Sequence, residues 1–208
     1  GGGLSSSTNY LQESTFGEIA TGPSQSSNYQ IRAGYQQMKS VYLSISTSPV
    51  TLSPSIPSIS GGTANGSTIV TVSTDNPAGY ELYIKASSSP ALKSGVNSFA
   101  DYTPAGANPD FSFSVPISTS EFAFTPEGTD IVQEYKDNGS SCNIGTLDTT
   151  NACWNALSTT NELVAQKTSV NHPSGTGTTL KFRAESGTWN TQATGTYTAT
   201  TTVTAVAL

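Results

Sequence analysis

The stretch that decides the fold is Ile69-Val70-Thr71-Val72-Ser73-Thr74-Asp75-Asn76-Pro77-Ala78-Gly79-Tyr80-Glu81-Leu82-Tyr83-Ile84-Lys85-Ala86. β-branched residues fill its first four positions, and a turn signal rich in Asp, Asn, Pro and Gly follows. Beyond the turn, apolar residues alternate with Glu81 and Lys85, as in a strand with one buried and one wet face. The stretch predicts a strand, a turn and a partner strand on which Leu82 and Ile84 face inward.

The C-terminal residues 196–208 repeat this period of two. Odd positions from Tyr197 onward carry mostly Tyr, Ala and Val, whereas even positions carry Thr as far as Thr204. Further alternating runs predict strands at 29–35, 41–46, 111–115, 122–124 and 180–184. Residues 129–136 and 154–157 each allow one or two helical turns. About eight or nine strands with long loops predict an all-β fold, a β-sandwich of immunoglobulin-like or jelly-roll type.

Two segments mark the organisation of the chain. Residues 48–67 are rich in Pro, Ser and Gly and are predicted to be a loop, because Pro49, Pro54 and Pro57 forbid a central strand. The first residues contain a weak repeat, in which residues 7–12 are echoed by residues 26–31. We therefore predict an extended N-terminal segment over residues 1–38 and a β-sandwich domain over residues 39–208.

The composition limits the possible partners. The chain has 32 Ser and 31 Thr, whereas only 11% of its residues are charged and its net charge is −6. Phosphate binding needs clustered positive charge, so nucleic acid is not an expected partner. No apolar run approaches the roughly 20 residues that span a bilayer, so no membrane span is expected. The start at Gly1, without Met, fits a mature exported product, and we expect an extracellular, cell-surface location.

The two cysteines enclose ten residues rich in Asn, Thr and Gly. A disulfide between Cys142 and Cys153 is favoured over two free thiols, given an exported chain. Two sulfur atoms and one histidine are too few for a four-ligand zinc site. We therefore predict no metal site and no cofactor.

Catalytic patterns are weak. The single histidine, His172, lies in a predicted turn, and no Gly-x-Ser-x-Gly elbow accompanies it. Most acidic residues also lie in predicted turns, where capping explains them without chemistry. Among these, Asp130, Asp137 and Asp148 are candidate calcium ligands, but they lack the EF-hand spacing. We predict that the protein is not an enzyme.

Aromatic side chains offer a second kind of site. Trp154, Trp189 and the nine tyrosines are able to stack on sugar rings, which makes a surface glycan a possible partner. The alternative is that tyrosines alternating with apolar residues pack within sheets.

Several stretches resemble known surface proteins. Residues 5–10, 16–22 and 28–35 resemble the N-terminal region of secreted surface proteins from uncultured candidate-phyla bacteria. Residues 74–80 and 195–198 are similar to WxL-type and fimbrial β-sandwich domains. The final strand has Thr and Val where the WxL signature would place Trp. The resemblance implies a β-sandwich at the cell surface and no catalytic residues.

Two functions follow as expectations. The first is a structural subunit of an extracellular filament, a homopolymer that assembles by β-strand addition to a neighbouring sheet edge. Its self-association segment would be residues 1–22, with apolar anchors at Leu4, Tyr10, Leu11, Phe16 and Ile19. The alternative is a monomeric cell-surface adhesin or glycan-binding module. A secreted hydrolase is a third and weaker hypothesis.

Overall fold

The structure, a computed structural model, describes the backbone of residues 2–7, 10–15, 22–25 and 30–33 and all atoms of residues 41–106 and 109–208. The chain divides into two compact units, Gly1–Tyr42 and Leu43–Leu208. The division falls four residues after the boundary that the sequence predicts, at residue 38.

The described backbone of the first unit consists of two antiparallel hairpins. Strand β1 (Gly2–Ser7) pairs with β2 (Tyr10–Thr15). Strand β3 (Gly22–Gln25) pairs with β4 (Gln30–Ala33), which lies within the strand predicted at 29–35. The first copy of the sequence repeat includes the start of β2, and the second copy includes the start of β4. Each copy therefore includes the start of the second strand of a hairpin.

The second unit contains two sheets that pack on one another, which confirms the predicted all-β sandwich. One sheet has five strands, namely β5 (Leu43–Ser46), β6 (Gly62–Thr74), β10 (Ala100–Asp101), β11 (Ser120–Glu127) and β13 (Thr176–Ser186). The other has three strands, namely β7 (Tyr80–Ala86), β12 (Glu162–Lys167) and β14 (Thr201–Ala207). The spatial orders are β10-β11-β13-β6-β5 and β12-β7-β14, and only the β10–β11 pair is parallel. Two-residue strands β8 (Lys93–Ser94) and β9 (Asn97–Ser98) form a small hairpin.

The core lies between the two sheets and uses alternate residues of each strand. Leu82 and Ile84 on β7 are at most 1% exposed, whereas Glu81 and Lys85 lie on the other face of the strand, as predicted. The facing sheet contributes the buried side chains of Val70, Val72, Phe122, Phe124, Leu180 and Phe182. The period of two in the sequence thus identifies the inward face correctly.

The connection between β6 and β7 crosses from one sheet to the other. The predicted pairing of these two strands is therefore wrong, although both strands exist. Asn76 forms hydrogen bonds within the turn and to Leu208, which is distant in sequence. Its Nδ2 donates to the carbonyl oxygens of Gly79 and Leu208, and its Oδ1 accepts from the Ala78 amide. The turn is thus anchored to the C-terminal end of the sandwich and does not close a hairpin.

A second aromatic layer covers the outer face of β11, which is buried on both sides. Tyr102 and Phe113 stack with ring centroids 4.7 Å apart, and Trp154 meets Phe113 edge-on at 5.5 Å. The guanidinium carbon of Arg183 lies 5.2 Å from the centroid of the Phe113 ring. This layer packs on Ala123 and helps to bury the outer face of β11.

Three local predictions are wrong, and a fourth is only partly correct. Residues 154–157 are not helical, since Trp154 and Asn155 form backbone bridges to Asp110 and Phe124. Residues 111–115 form no strand; Phe111 packs against the core between the sheets, and Phe113 belongs to the second aromatic layer. Strand β6 begins at Gly62, inside the predicted loop, where it pairs with the end of β13. The helical turn predicted in 129–136 is reduced to a 3-10 turn over Gln133–Tyr135.

Several carboxyl groups are partly buried in the second unit. Burial raises the pKa of Glu162, and hydrogen bonds from the Tyr135 hydroxyl and the Asn155 amide only partly oppose this. Burial likewise raises the pKa of Glu134 and of Glu121. Protonation of these groups is therefore more favourable in the folded protein than in the unfolded chain.

We expect the free energy of unfolding to increase when the pH is lowered from 7 towards 4.5, the ordinary pKa of glutamic acid. A raised pKa stabilises the fold below the unfolded value, and that stabilisation is lost as the pH rises through the folded value. Urea unfolding at pH 7 and pH 5 measures the change. Glu162→Gln should flatten the dependence, because it removes one of these groups. A fold that becomes less stable over this interval would contradict the prediction.

Candidate assembly edge

Cys142 and Cys153 form a disulfide, as predicted. The bridged loop is also held by Asp137, which is fully buried. The carboxylate of Asp137 accepts hydrogen bonds from the Gly139 amide at 2.7 Å and from the amide and hydroxyl of Thr149, both at 2.8 Å. Burial alone would raise the pKa of Asp137, but these hydrogen bonds outweigh it and lower the pKa. The loop is therefore held both by the disulfide and by the hydrogen bonds to Asp137.

The three candidate calcium ligands are used in separate local contacts. Asp130 pairs with the Lys167 amine at 3.1 Å and accepts a hydrogen bond from the Tyr80 hydroxyl. Asp148 accepts a hydrogen bond from the Gly128 amide at 2.7 Å. Within residues 41–106 and 109–208, no group of three or more His, Cys, Asp or Glu side chains is placed to hold a metal ion.

His172 lies in the turn that precedes β13. Its Nδ1 is 3.4 Å from the Ser73 hydroxyl, and its amide donates to the Thr74 carbonyl oxygen. Ser73 is 7% exposed on β6. The contact ties the turn to the strand.

The two tryptophans have opposite environments. Trp154 is 1% exposed and donates through Nε1 to the Asn151 carbonyl oxygen, so its ring belongs to the aromatic layer. An open pocket of about 270 Å³ lies beside it, lined by Asn65, Gly66, Ser67, Asn151, Lys181 and Phe182. Trp189 is 79% exposed in the turn after β13. Of the two tryptophans, only Trp189 presents its ring to solvent for stacking on a ligand.

The predicted self-association residues fall in the first hairpin or outside the described residues. Leu4 lies on β1 opposite Glu13, and on β2 Tyr10 lies opposite Ser7 and Leu11 opposite Ser6. Phe16 and Ile19 lie outside the described residues. The structure therefore brings three of the five into one paired backbone segment.

Strand β14 forms one edge of the three-stranded sheet. The amide of Ser87 donates to Thr200, and the amide of Leu208 donates to Gly79, so the even-numbered residues are hydrogen-bonded to the β7 side. Backbone groups alternate in direction along an antiparallel strand. The N–H and C=O groups of Thr201, Val203, Ala205 and Ala207 therefore point outward. In the part of the chain that the structure describes, no strand pairs with them.

The outward edge of β14 lacks the features that normally block intermolecular pairing. Its sequence, TTVTAVA, contains no charged residue and no proline. Soluble monomers usually protect long edges with lysine, proline, bulges or a covering segment. The register of β14 with β7 is continuous over all seven residues, without a bulge. A further strand therefore meets no charge and no break along this edge.

The inner face of β5 is incompletely covered beside this edge. Ile45 lies directly opposite Val72, so the two side chains share a face of the sheet. Val72 is fully buried in the core, yet Ile45 is 42% exposed. The three-stranded sheet ends at β14, which lies close to β5. One more strand beyond β14 would extend the three-stranded sheet on the side where β5 lies.

The opposite side of the sandwich is closed. Residues 130–132 pair with the outer edge of β12, through bonds from Val132 to Val164 at 3.1 Å and from Gln166 to Asp130 at 2.8 Å. The outer edge of β11 pairs with β10 and with Asn155. Among the described residues of the second unit, the fold thus covers the sheet edges on one side and leaves those of β14 and β5 uncovered on the other. This open side is the candidate functional site.

Sequence analysis predicts β14 but does not identify it as an edge. The alternation in residues 196–208 gives the strand and its inward face, and the absence of lysine there is the signal that points to pairing. The half-covered Ile45 depends on the number of strands in the facing sheet, which no local pattern encodes.

Comparisons with models of protein families, with curated proteins and with solved structures find no match to this chain. In the described part of the chain, no helix is long and apolar enough to cross a membrane.

Proposed function

We propose that the protein is a non-catalytic structural subunit of an extracellular filament or surface appendage. The N-terminal segment of one subunit adds a strand to the sheet of its neighbour. The observation that carries the proposal is the open side of the sandwich, where an unprotected seven-residue strand lies near β5 and its exposed Ile45.

The first unit is suited to donate a strand. Its described backbone forms hairpins of two strands each, and a hairpin of this kind is at best marginally stable alone in water. Opening one hairpin therefore requires little free energy, and the backbone groups that it releases are satisfied again on a neighbouring edge. Head-to-tail addition of this kind does not close on itself and produces a filament.

An oxidising compartment fits the covalent structure. Both cysteines of the chain are joined in one bridge, and the described residues contain no free thiol. Disulfides persist outside the cell and are rare in the cytosol. The bridge and the low charge of the chain support a cell-surface location.

Deletion of residues 1–22 tests the function. The truncated protein should remain folded, since residues 43–208 form a compact unit of their own, but it should stay monomeric. Sedimentation and electron microscopy measure assembly, and circular dichroism measures the sheet content. Addition of a peptide of residues 1–22 should give binding to the truncated protein. A truncated chain that still polymerises would show that this segment is not the donor.

The alternative function is a monomeric adhesin or glycan-binding module, and the exposure of Trp189 favours it. It predicts that the full-length protein stays monomeric at high concentration. It also predicts that soluble polysaccharide changes the fluorescence of Trp189 and leaves that of a Trp189→Ala variant unchanged.

A further inference from the structure

We propose that the receiving position is the outer edge of β14, and that its occupant is strand β1 (Gly2–Ser7) of a second copy of this chain. The added segment becomes the fourth strand of the three-stranded sheet and lies over Ile45. This inference rests on the proposed function and specifies its contact.

Backbone hydrogen bonding defines the contact. The added strand would form hydrogen bonds with the outward N–H and C=O groups of Thr201, Val203, Ala205 and Ala207. Strand β1 has six residues, against seven in β14, so it matches the length of the edge. Main-chain bonds of this kind supply affinity without demanding particular side chains.

The chemistry of the edge selects the occupant. Residues 2–12 of the chain contain no charged residue, and the nearest acid follows at Glu13. The edge of β14 is also uncharged, and the neighbouring Ile45 requires an apolar or small side chain above it. A charge on the added strand would lose part of its hydration beside the apolar side chain of Ile45, at a cost in free energy. The uncharged start of the chain avoids that cost.

The edge of β5 is a poorer receiving position. It offers four residues, and the chain enters it directly from residue 42 of the first unit. A strand bound there would extend the five-stranded sheet further beyond its partner sheet and leave Ile45 uncovered. Addition to β14 instead brings the two sheets closer to equal width.

Proline substitution distinguishes the outward side of β14 from the side that is paired with β7. Ala205→Pro removes an outward N–H, and proline is accepted in an edge strand where its nitrogen faces solvent. The full-length variant should unfold within a few degrees of the unsubstituted protein, yet lose sedimenting assemblies. In the background lacking residues 1–22, Ala205→Pro should weaken binding of the peptide 1–22 at least about tenfold. The matched control is Thr204→Pro, which removes a bond to β7 and should lower the unfolding temperature.

A second variant keeps the experiment decisive if Ala205→Pro does not fold. Thr202→Lys combined with Val206→Lys adds two lysines at exposed positions of the edge and leaves the backbone unchanged. Normal assembly of a folded Ala205→Pro variant, or of the double-lysine variant, would overturn the assignment to β14. If deletion of residues 1–22 abolishes assembly in the same experiment, the proposed function survives that result. Assembly that persists after the deletion overturns both.

Discussion

Gly79→Ala is expected to destabilise the sandwich by about 4 kcal/mol or more, or to prevent folding. Gly79 has φ of +90°, in the region that L side chains rarely adopt. A Cβ atom at this position would overlap the carbonyl group of Lys167 and lie 2.8 Å from the Ser169 nitrogen. These neighbours are backbone atoms, so the turn between the sheets has to move as a whole. Urea unfolding followed by tryptophan fluorescence measures the loss.

Gly95→Ala is the matched control. Gly95 also has positive φ, +59°, but no atom lies within 4 Å of the position of its Cβ. The substitution should therefore cost only the conformational strain, about 1–2 kcal/mol. Equal effects of the two substitutions would show that the close approach of Gly79 to the end of β12 does not determine stability.

Leu82→Ala is expected to lower the free energy of unfolding by roughly 2–5 kcal/mol, from lost transfer energy and the cavity left behind. Leu82 is fully buried at the centre of β7, which is itself the central strand of its sheet. Lys85→Ala on the opposite face should change the free energy by less than about 0.5 kcal/mol. Chemical denaturation of both variants under one condition gives the comparison. If both lose the same stability, the assigned inward face of β7 is incorrect.

The strands were predictable where one face is buried and the other is wet. Tyr80–Ala86 and Thr201–Ala207 both show clean alternation, and both are strands with the expected inward face. Their pairing was not predictable in the same way. The turn at 75–79 has the residues of a hairpin turn, yet it connects two sheets. What decides its path is contact with residues more than eighty positions away, at Lys167 and Leu208.

Segments without strict alternation were the least predictable. The apolar spacing around Trp154 allows a helical turn. The backbone of Trp154 and Asn155 instead forms β-bridges to Asp110 and Phe124. The polar start of β6 has the sequence pattern of a loop because its outer face is exposed, but it forms a strand by pairing with β13 and, at Asn65, with Ser53. For the candidate site, the sequence indicates a β-prone, charge-free strand. Its position at an edge and the uncovered Ile45 emerge only from the arrangement of the sheets.

The absence of charge on β14 has a consequence for ionic strength. A contact made through this edge contains no ion pair that salt can screen. The chain as a whole carries a net charge of −6, so two subunits repel one another at long range. Sodium chloride shortens the reach of that repulsion, to about 8 Å at physiological ionic strength. In the proposed assembly, added salt is therefore expected to favour contact between subunits, whereas it weakens an interface built from salt bridges.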